Sequence, residues 1–238
     1  MNRPKVHQVQ MNRIQITAGL GSLALQVDAH FNSELIIISG ENGTGKTTLL
    51  RCLAGLQQAQ GQVTINSQVW LDSCAGFSLP PEQRQVGCVW ADAALLPWLS
   101  IEKNIVLGGD NVDVAWLHQL ADQLEVTPLL QRQPQMLSTG EKQRIALARA
   151  MYRKPSVLLL DEPFSAQAPA IRGRLREVLR SIQAELQTPV IMVSHDAEDA
   201  KVLAHQHWHM REGKLLNVLP RHSPAEGHPE YSEATGGK

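Results

Sequence analysis

The sequence predicts an α/β fold with a mixed sheet at its core, an antiparallel β segment and an inserted helical lobe. Three observations carry that expectation. Leu35–Leu50, LIIISGENGTGKTTLL, is a short apolar run, a glycine-rich loop and the start of a helix. Leu23, Leu25, Val27, Ala29 and Phe31 alternate strictly with other residues, the period of a half-buried antiparallel strand. Val157–Leu160 is a second continuous apolar run, the mark of a strand buried on both faces, and it ends in Asp161-Glu162-Pro163.

The chain order supports each element. Ile14 and Ile16 begin a strand, followed past Gly19 and Gly21 by the alternating one. After Leu35–Ile38 the loop Gly40–Gly45 opens a helix that Gly55 closes with a left-handed cap. Val63–Ile65 and Val69–Leu71 flank Asn66-Ser67 as a hairpin, and a proline-containing loop, 78–84, leads into a strand at 86–90. From about 92 to 155 the pattern turns helical, with Val114, Leu117, Leu120, Ala121 and Leu124 at helical spacing. Ser138 and Glu141 form a capping box ahead of a helix carrying Ile145, Ala148 and Ala150. A helix with Ile171, Leu175, Val178, Leu179 and Ile182 follows the DEP strand. A strand at 189–193 ends in Ser194-His195-Asp196, a helix spans 197–203, and a hairpin pairs 207–210 with 215–218. Residues 1–11 read as a loose lead-in, and 220–238 as a polar, disordered tail.

Composition narrows the field. The 238 residues are 43% apolar and 19% charged, an ordinary globular balance, and the net charge of −1 gives no bulk reason to expect nucleic acid as a partner. No apolar stretch is long enough to span a membrane, and the N-terminus has no apolar leader. Cys52, Cys74 and Cys88 are scattered, which suits reduced thiols better than a disulfide framework.

The chemistry concentrates at the glycine loop. Gly40, Gly45, Lys46 and Thr47 fit G-x-x-x-x-G-K-[ST] in its strand–loop–helix setting, which predicts nucleotide binding. The loop Gly40, Glu41, Asn42, Gly43, Thr44 and Gly45, with Thr48 behind it, lets backbone N–H groups close around a phosphate at a helix N-terminus. Lys46 reaches the β- and γ-phosphates and the Thr47 hydroxyl ligates Mg²⁺. Asp161, at the carboxyl end of a buried strand, holds the metal through water, and Glu162 activates the attacking water.

The order of P-loop, LSTGE (Leu137–Glu141), LLLDEP and a strand-end histidine resembles the nucleotide-binding subunit of ABC transporters, over roughly residues 12–218. Within it, PPEQRQVGCVWADAALLPWLSIEKNI and LSTGEKQRIALARA look most like the ATPases of molybdate-type oxyanion importers. The resemblance implies one ATP-binding cassette over 1–219, with a RecA-like core and a helical lobe at about 92–155. It implies ATP and Mg²⁺ as cofactors, and a homodimer with two ATPs sandwiched head to tail. Ser138, Gly140 and Glu141 then meet the partner's γ-phosphate, and His195 contacts the γ-phosphate and helps hold the attacking water. Transmembrane permease subunits follow as partners, contacted near 91–105, and the cytoplasmic face of the inner membrane as the location. Molybdate-type ATPases often add a C-terminal regulatory domain, which the short polar tail does not supply.

Three positions depart from the family pattern. Ala91 stands where a glutamine touches metal and water, Ala168 where an aspartate couples the two sites, and Thr139 where a glycine is usual. A slow ATPase is the expectation. A catalytically weak regulatory cassette paired with another, and a soluble ABC protein without a transporter, stay open as alternatives. His205, His207 and His209 alternate on a strand but are set aside as metal ligands. Trp90 and Trp98 are read as packing into the lobe core ahead of lining a groove, and Arg172, Arg174, Arg176 and Arg180 as a solvated helix face.

Overall fold

The computed structural model describes residues 11–21, 23–109 and 111–220, so the lead-in and nearly all of the tail lie outside the described residues. Strands β1 (Asn12–Leu20) and β2 (Leu23–Phe31) form a hairpin in register from Asn12 opposite Phe31 to Leu20 opposite Leu23. Leu25, Val27, Ala29 and Phe31 point inward as the alternation requires, whereas Leu23, beside the turn, is exposed. β3 (Leu35–Ser39) runs into the glycine loop, and α1 (Lys46–Ala54) ends at Gly55 with φ 77°. β4 (Gln60–Ile65) and β5 (Gln68–Asp72) are joined by Asn66 and Ser67, both at positive φ, the turn that matches strand twist.

After the two-residue β6 (Phe77–Ser78), Arg84 is almost fully buried. Its guanidinium donates to the carbonyls of Cys52 and Leu53 and so satisfies the last turn of α1. β7 (Val86–Val89) precedes the helices α2 (Ile101–Ile105), α3 (Val114–Gln123) and α4 (Thr139–Tyr152). The chain then alternates β8 (Val157–Asp161), α5 (Pro169–Leu186), β9 (Val190–Val193) and α6 (Ala197–Leu203), and closes with the hairpin β10 (Gln206–Arg211) and β11 (Lys214–Pro220).

The strands form one sheet in the order β6-β5-β4-β1-β2-β11-β10-β3-β9-β8-β7. From β10 to β7 the neighbours are parallel, and β1, β2, β4, β5 and β6 pair antiparallel. The two parts meet at a single pairing, Lys214 with Gln26. Strand alternation divides the interior into two apolar cores. Leu35, Ile37, Leu158 and Leu160 face α3, α4 and α5, while Ile36, Ile38, Val157 and Leu159 face α1 and the antiparallel strands. Continuing that alternation turns Asp161 toward α1, where Thr47 stands.

Two side-chain expectations are overturned. The arginines of α5 are not a uniformly solvated face: Arg176 is 9% exposed and its guanidinium grips Asp199 at 2.6 Å and Asp196 at 2.8 Å. Arg172 joins the same Asp196 at 2.6 Å. The reason is tertiary, since α6 brings two carboxylates against one stripe of α5; Arg174 and Arg180 do stay outside. Neither tryptophan enters the lobe core: Trp98, on the loop between β7 and α2, is 69% exposed, and Trp90 packs partly buried against the other core, beside α1.

Candidate nucleotide-binding and catalytic site

Parallel pairing brings the carboxyl ends of β3, β9 and β8 together: Ile38 lies beside Val193, and Val193 beside Asp161. The glycine loop, the DEP carboxylates and the Ser194-His195 turn therefore share one edge of the sheet, as open α/β sheets place their ligands. Gly40, Gly43 and Gly45 hold φ of 145°, 80° and 103°, a backbone that a Cβ would strain. At Gly40 the constraint is also steric, since a Cβ would sit 2.1 Å from the Met210 carbonyl oxygen. The β10–β11 turn supports the loop again where the Gly213 N–H donates to the Thr44 carbonyl at 3.1 Å.

Within the loop, Lys46 Nζ donates to the carbonyls of Gly40 (2.8 Å) and Glu41 (2.7 Å), and Thr44 Oγ1 donates to Glu41 O. Burial holds the Lys46 ammonium below the usual lysine range, and the carboxylates of Glu162 and Asp161 oppose that shift. Thr47 Oγ1 donates to Asp161 Oδ2 at 2.8 Å. A hydroxyl and a carboxylate in contact beside a phosphate loop are oxygen donors suited to a hard cation such as Mg²⁺. Glu41, Asn42 and Gly43 stand exposed at the tip of the loop, and Thr48 is half-buried in the first turn of α1.

Glu162 has φ 52°, a strained bend that carries its carboxylate out of the strand line. Burial first, then the charges of Asp161 and Asp199, push its carboxyl up to about 7. His195 Nε2 lies 3.5 Å from Glu162 Oε1, and that buried oxygen accepts no hydrogen bond from the described residues. A carboxyl poised near neutrality with a free lone pair suits a general base. The structure thus brings Lys46, Thr47, Asp161, Glu162 and His195 together.

It keeps Ser138, Gly140 and Glu141 apart from them, with no hydrogen bond to the glycine loop among the described residues. Both halves of the capping box are present: the Ser138 N–H donates to Glu141 Oε2 at 2.8 Å, and the Glu141 N–H to Ser138 Oγ at 3.3 Å. Thr139 is the first residue of α4, where a side chain is tolerated. A Cβ on Gly140 would come within 3.0 Å of the Ala166 carbonyl oxygen, so the helix meets the loop after Glu162 closely.

Sequence reasoning missed what ties these parts together. Gln143, 2% exposed, donates to Ser165 Oγ at 2.9 Å and accepts from the Ala166 N–H at 3.1 Å. Gln167, 5% exposed, donates to Gly140 O at 2.8 Å and accepts from Arg144 Nη1 at 3.1 Å. No local signal marked either one: Gln143 stands between Lys142 and Arg144, and Gln167 in a short loop of small residues. The alternating histidines also find uses: His207 Nε2 and His209 Nδ1 lie 2.8 and 3.2 Å from Ser39 Oγ, and His205 Nδ1 accepts from the Leu35 N–H. Among the described residues no group of three or more His, Cys, Asp or Glu is arranged to hold a metal.

The fold and this sheet edge define a P-loop nucleotide-binding protein. The ABC transporter family model matches residues 26–165, and the chain belongs to the ABC transporter family. It is 35% identical over 213 residues to the molybdenum import ATP-binding protein ModC of Pseudomonas fluorescens, covering 87% of this chain and 59% of the relative. It is 36% identical over 208 residues to the molybdate/tungstate import ATP-binding protein WtpC of Archaeoglobus fulgidus, covering 86% of this chain and 85% of the relative. The chain spans 59 to 61% of the length of three ModC proteins it matches. A solved dimer of the bacterial ABC transporter cassette MJ0796 superposes with a TM-score of 0.73 at 22% identity, over 88% of this chain and 98% of that one.

Proposed function

We propose that this chain is an ATP-hydrolysing cassette, spanning about 1–219, that powers import of molybdate or a similar oxyanion. The observation that carries the reading is the convergence of Lys46, the Thr47–Asp161 pair and the Glu162–His195 pair at one sheet edge. Lys46 and the loop N–H groups hold the phosphates, exchanging the carbonyl contacts of the lysine for phosphate oxygens. Thr47 and Asp161 would hold Mg²⁺, which offsets developing charge on the phosphates when bound. Glu162 Oε1 takes the proton of the attacking water, and His195 orients that water and the γ-phosphate.

Ser138 and the first turn of α4, facing outward, serve the nucleotide of a second copy, so that a homodimer completes two sites. The permease subunits dock on the lobe, where Trp98 and Met136 are exposed and Gln135 Nε2 donates to Pro97 O, and the cassette sits at the cytoplasmic face of the inner membrane. The resemblance to ModC and WtpC supports the oxyanion assignment.

Ala91, just beyond the end of β7 and exposed, offers no polar group to this edge, which favours slow turnover. Steady-state Mg-ATP hydrolysis tests the reading. Turnover that Glu162→Gln abolishes, and that Ala91→Gln raises by about thirtyfold or more, supports it, because one polar contact at a reaction centre contributes about 2–4 kcal/mol. ATP binding without turnover above the Glu162→Gln background sinks it, and leaves a regulatory cassette in its place.

A further inference from the structure

Two ends of this chain are assigned to different nucleotides: the first turn of α4 to the partner's, and the Glu162–His195 pair to its own. A continuous set of hydrogen bonds inside one chain joins them. From the first turn of α4, the Gly140 carbonyl accepts from Gln167 Nε2 at 2.8 Å. From Gln167 the path leaves through its own carbonyl, which accepts from Arg172 Nη2 at 3.3 Å. Arg172 Nη1 then donates to Asp196 Oδ2 at 2.6 Å, next door to His195. Asp196 is fixed a second time by Arg176, which also holds Asp199, and Asp199 accepts from the Ser194 hydroxyl.

The parts are stiff. Gln167 is nearly buried, and its amide oxygen is occupied by Arg144. The guanidinium of Arg172 spans two acceptors in a planar fork that lysine cannot imitate. Nothing in this network touches the P-loop, so it is not needed to hold a nucleotide. Its two termini are the two phosphate-facing ends.

We propose that Gln167 and Arg172 are positioning residues that couple the first turn of α4 to the His195 turn, so that engagement of the partner's phosphate at one end sets the geometry at the other. The carboxylate missing at Ala168 is thereby replaced by a link within the chain. The proposal rests on the ATPase reading. Displacing the α4 turn pulls on the Gln167 side chain, and the 167 carbonyl and Arg172 carry that displacement to Asp196 and the backbone of His195.

The test uses the full chain with Gln167→Leu, Gln167→Glu, Arg172→Lys and the double variant Gln167→Leu/Arg172→Lys. Gln167→Glu keeps the acceptor for Arg144 and loses the donor to Gly140, which separates coupling from packing. Each single variant is expected to lower kcat by about three- to thirtyfold and to flatten cooperativity in ATP, the range seen along coupled networks. The affinity for a fluorescent ATP analogue stays within about twofold, and the double variant loses no more than the more damaging single variant, as residues in series require. Unchanged kcat and cooperativity in all three single variants overturns the proposal, and so do strictly additive losses.

Hydrogen exchange of the nucleotide-free chain separates this failure from failure of the ATPase reading. Gln167→Leu is expected to speed exchange both in the first turn of α4 and at 194–198. Unchanged exchange at 194–198 removes the link whether or not the wild-type chain turns over ATP.

Discussion

Helices α1 and α4 are the two whose N-termini the proposed function gives to phosphate, and they are built in opposite ways. The N-cap of α1 is Gly45, which supplies no side chain, and the Lys46 ammonium that follows it rests on two loop carbonyls. The N-cap of α4 is Ser138, whose N–H and hydroxyl are already engaged by the carboxylate of Glu141. The first is an anion site left open, with one ammonium beside it and the Asp161 carboxylate on Thr47 at its edge. The second is filled by an anion of its own chain, and Ser138 holds the Glu141 carboxyl below the ordinary glutamate range. A phosphate at α1 needs nothing displaced except a few carbonyl contacts. A phosphate at α4 competes with Glu141. On the proposed reading the comparison assigns nucleotide affinity to α1 and a conditional contact, suited to opening and closing, to α4.

Substitutions that erase this asymmetry probe it, and the largest effect belongs to α1. Lys46→Ala is expected to weaken ATP binding by about 100-fold or more, since hydrogen bonds to charged groups contribute about 1.5–3 kcal/mol each. An ATP-analogue titration measures this, and unchanged affinity breaks the assignment of affinity to α1.

Glu162→Gln, between the two helices, is expected to lower turnover by about 100-fold or more with ATP affinity retained, the usual contribution of a general base. The same variant has a pH signature in stability. The folded carboxyl of Glu162 sits at about 7 against an ordinary 4.5, so its proton is held more tightly in the folded chain. Its ionisation therefore opposes folding as pH rises from 4.5 through 7, and the cost vanishes below 4.5. Thermal melts should show Glu162→Gln raising Tm at about pH 8 and leaving it nearly unchanged at about pH 4.

At α4 the effects shrink to the scale of a cap. Ser138→Ala should cost about 1 kcal/mol, a fall in Tm of about 2–4 °C, and lower turnover while ATP affinity in the isolated chain holds. A large loss of affinity there would erase the distinction between the two termini. A change of the same scale is a gain. Ala168 is the N-cap of α5 and makes no side-chain cap, so Ala168→Asp should stabilise the chain by about 0.5–2 kcal/mol in a denaturant titration.

How much of this was legible depends on the range of the interaction. Gly40–Thr47, the Ser138–Glu141 box and the Asn66-Ser67 turn are written in adjacent residues, because backbone geometry and local hydrogen bonding select them. Asp161 and Glu162 were legible because a buried strand that ends in two carboxylates has few reasons to do so. Arg176 was not, since its partners lie 20 and 23 residues away and only the packing of α6 on α5 brings them near. Gln143 and Gln167 were hidden for the same reason, at a separation of 24 residues. Nor does any local pattern announce that β10 lies beside β3 at the centre of the sheet. Trp98 misled because a large aromatic side chain is usually buried, and here its loop turns the ring outward.

The foot of the glycine loop has a consequence for biosynthesis. Ser39 and Gly40 rest against His207 and Met210, partners 168 residues apart in the first pair, and the Thr44 carbonyl is satisfied from Gly213. A ribosome finishes the loop long before it makes the hairpin that braces it. A nascent chain paused before β10 would carry every P-loop residue and still lack the wall that shapes them. The loop therefore gains its full bracing only after the β10–β11 hairpin has emerged, well over a hundred residues after the loop itself.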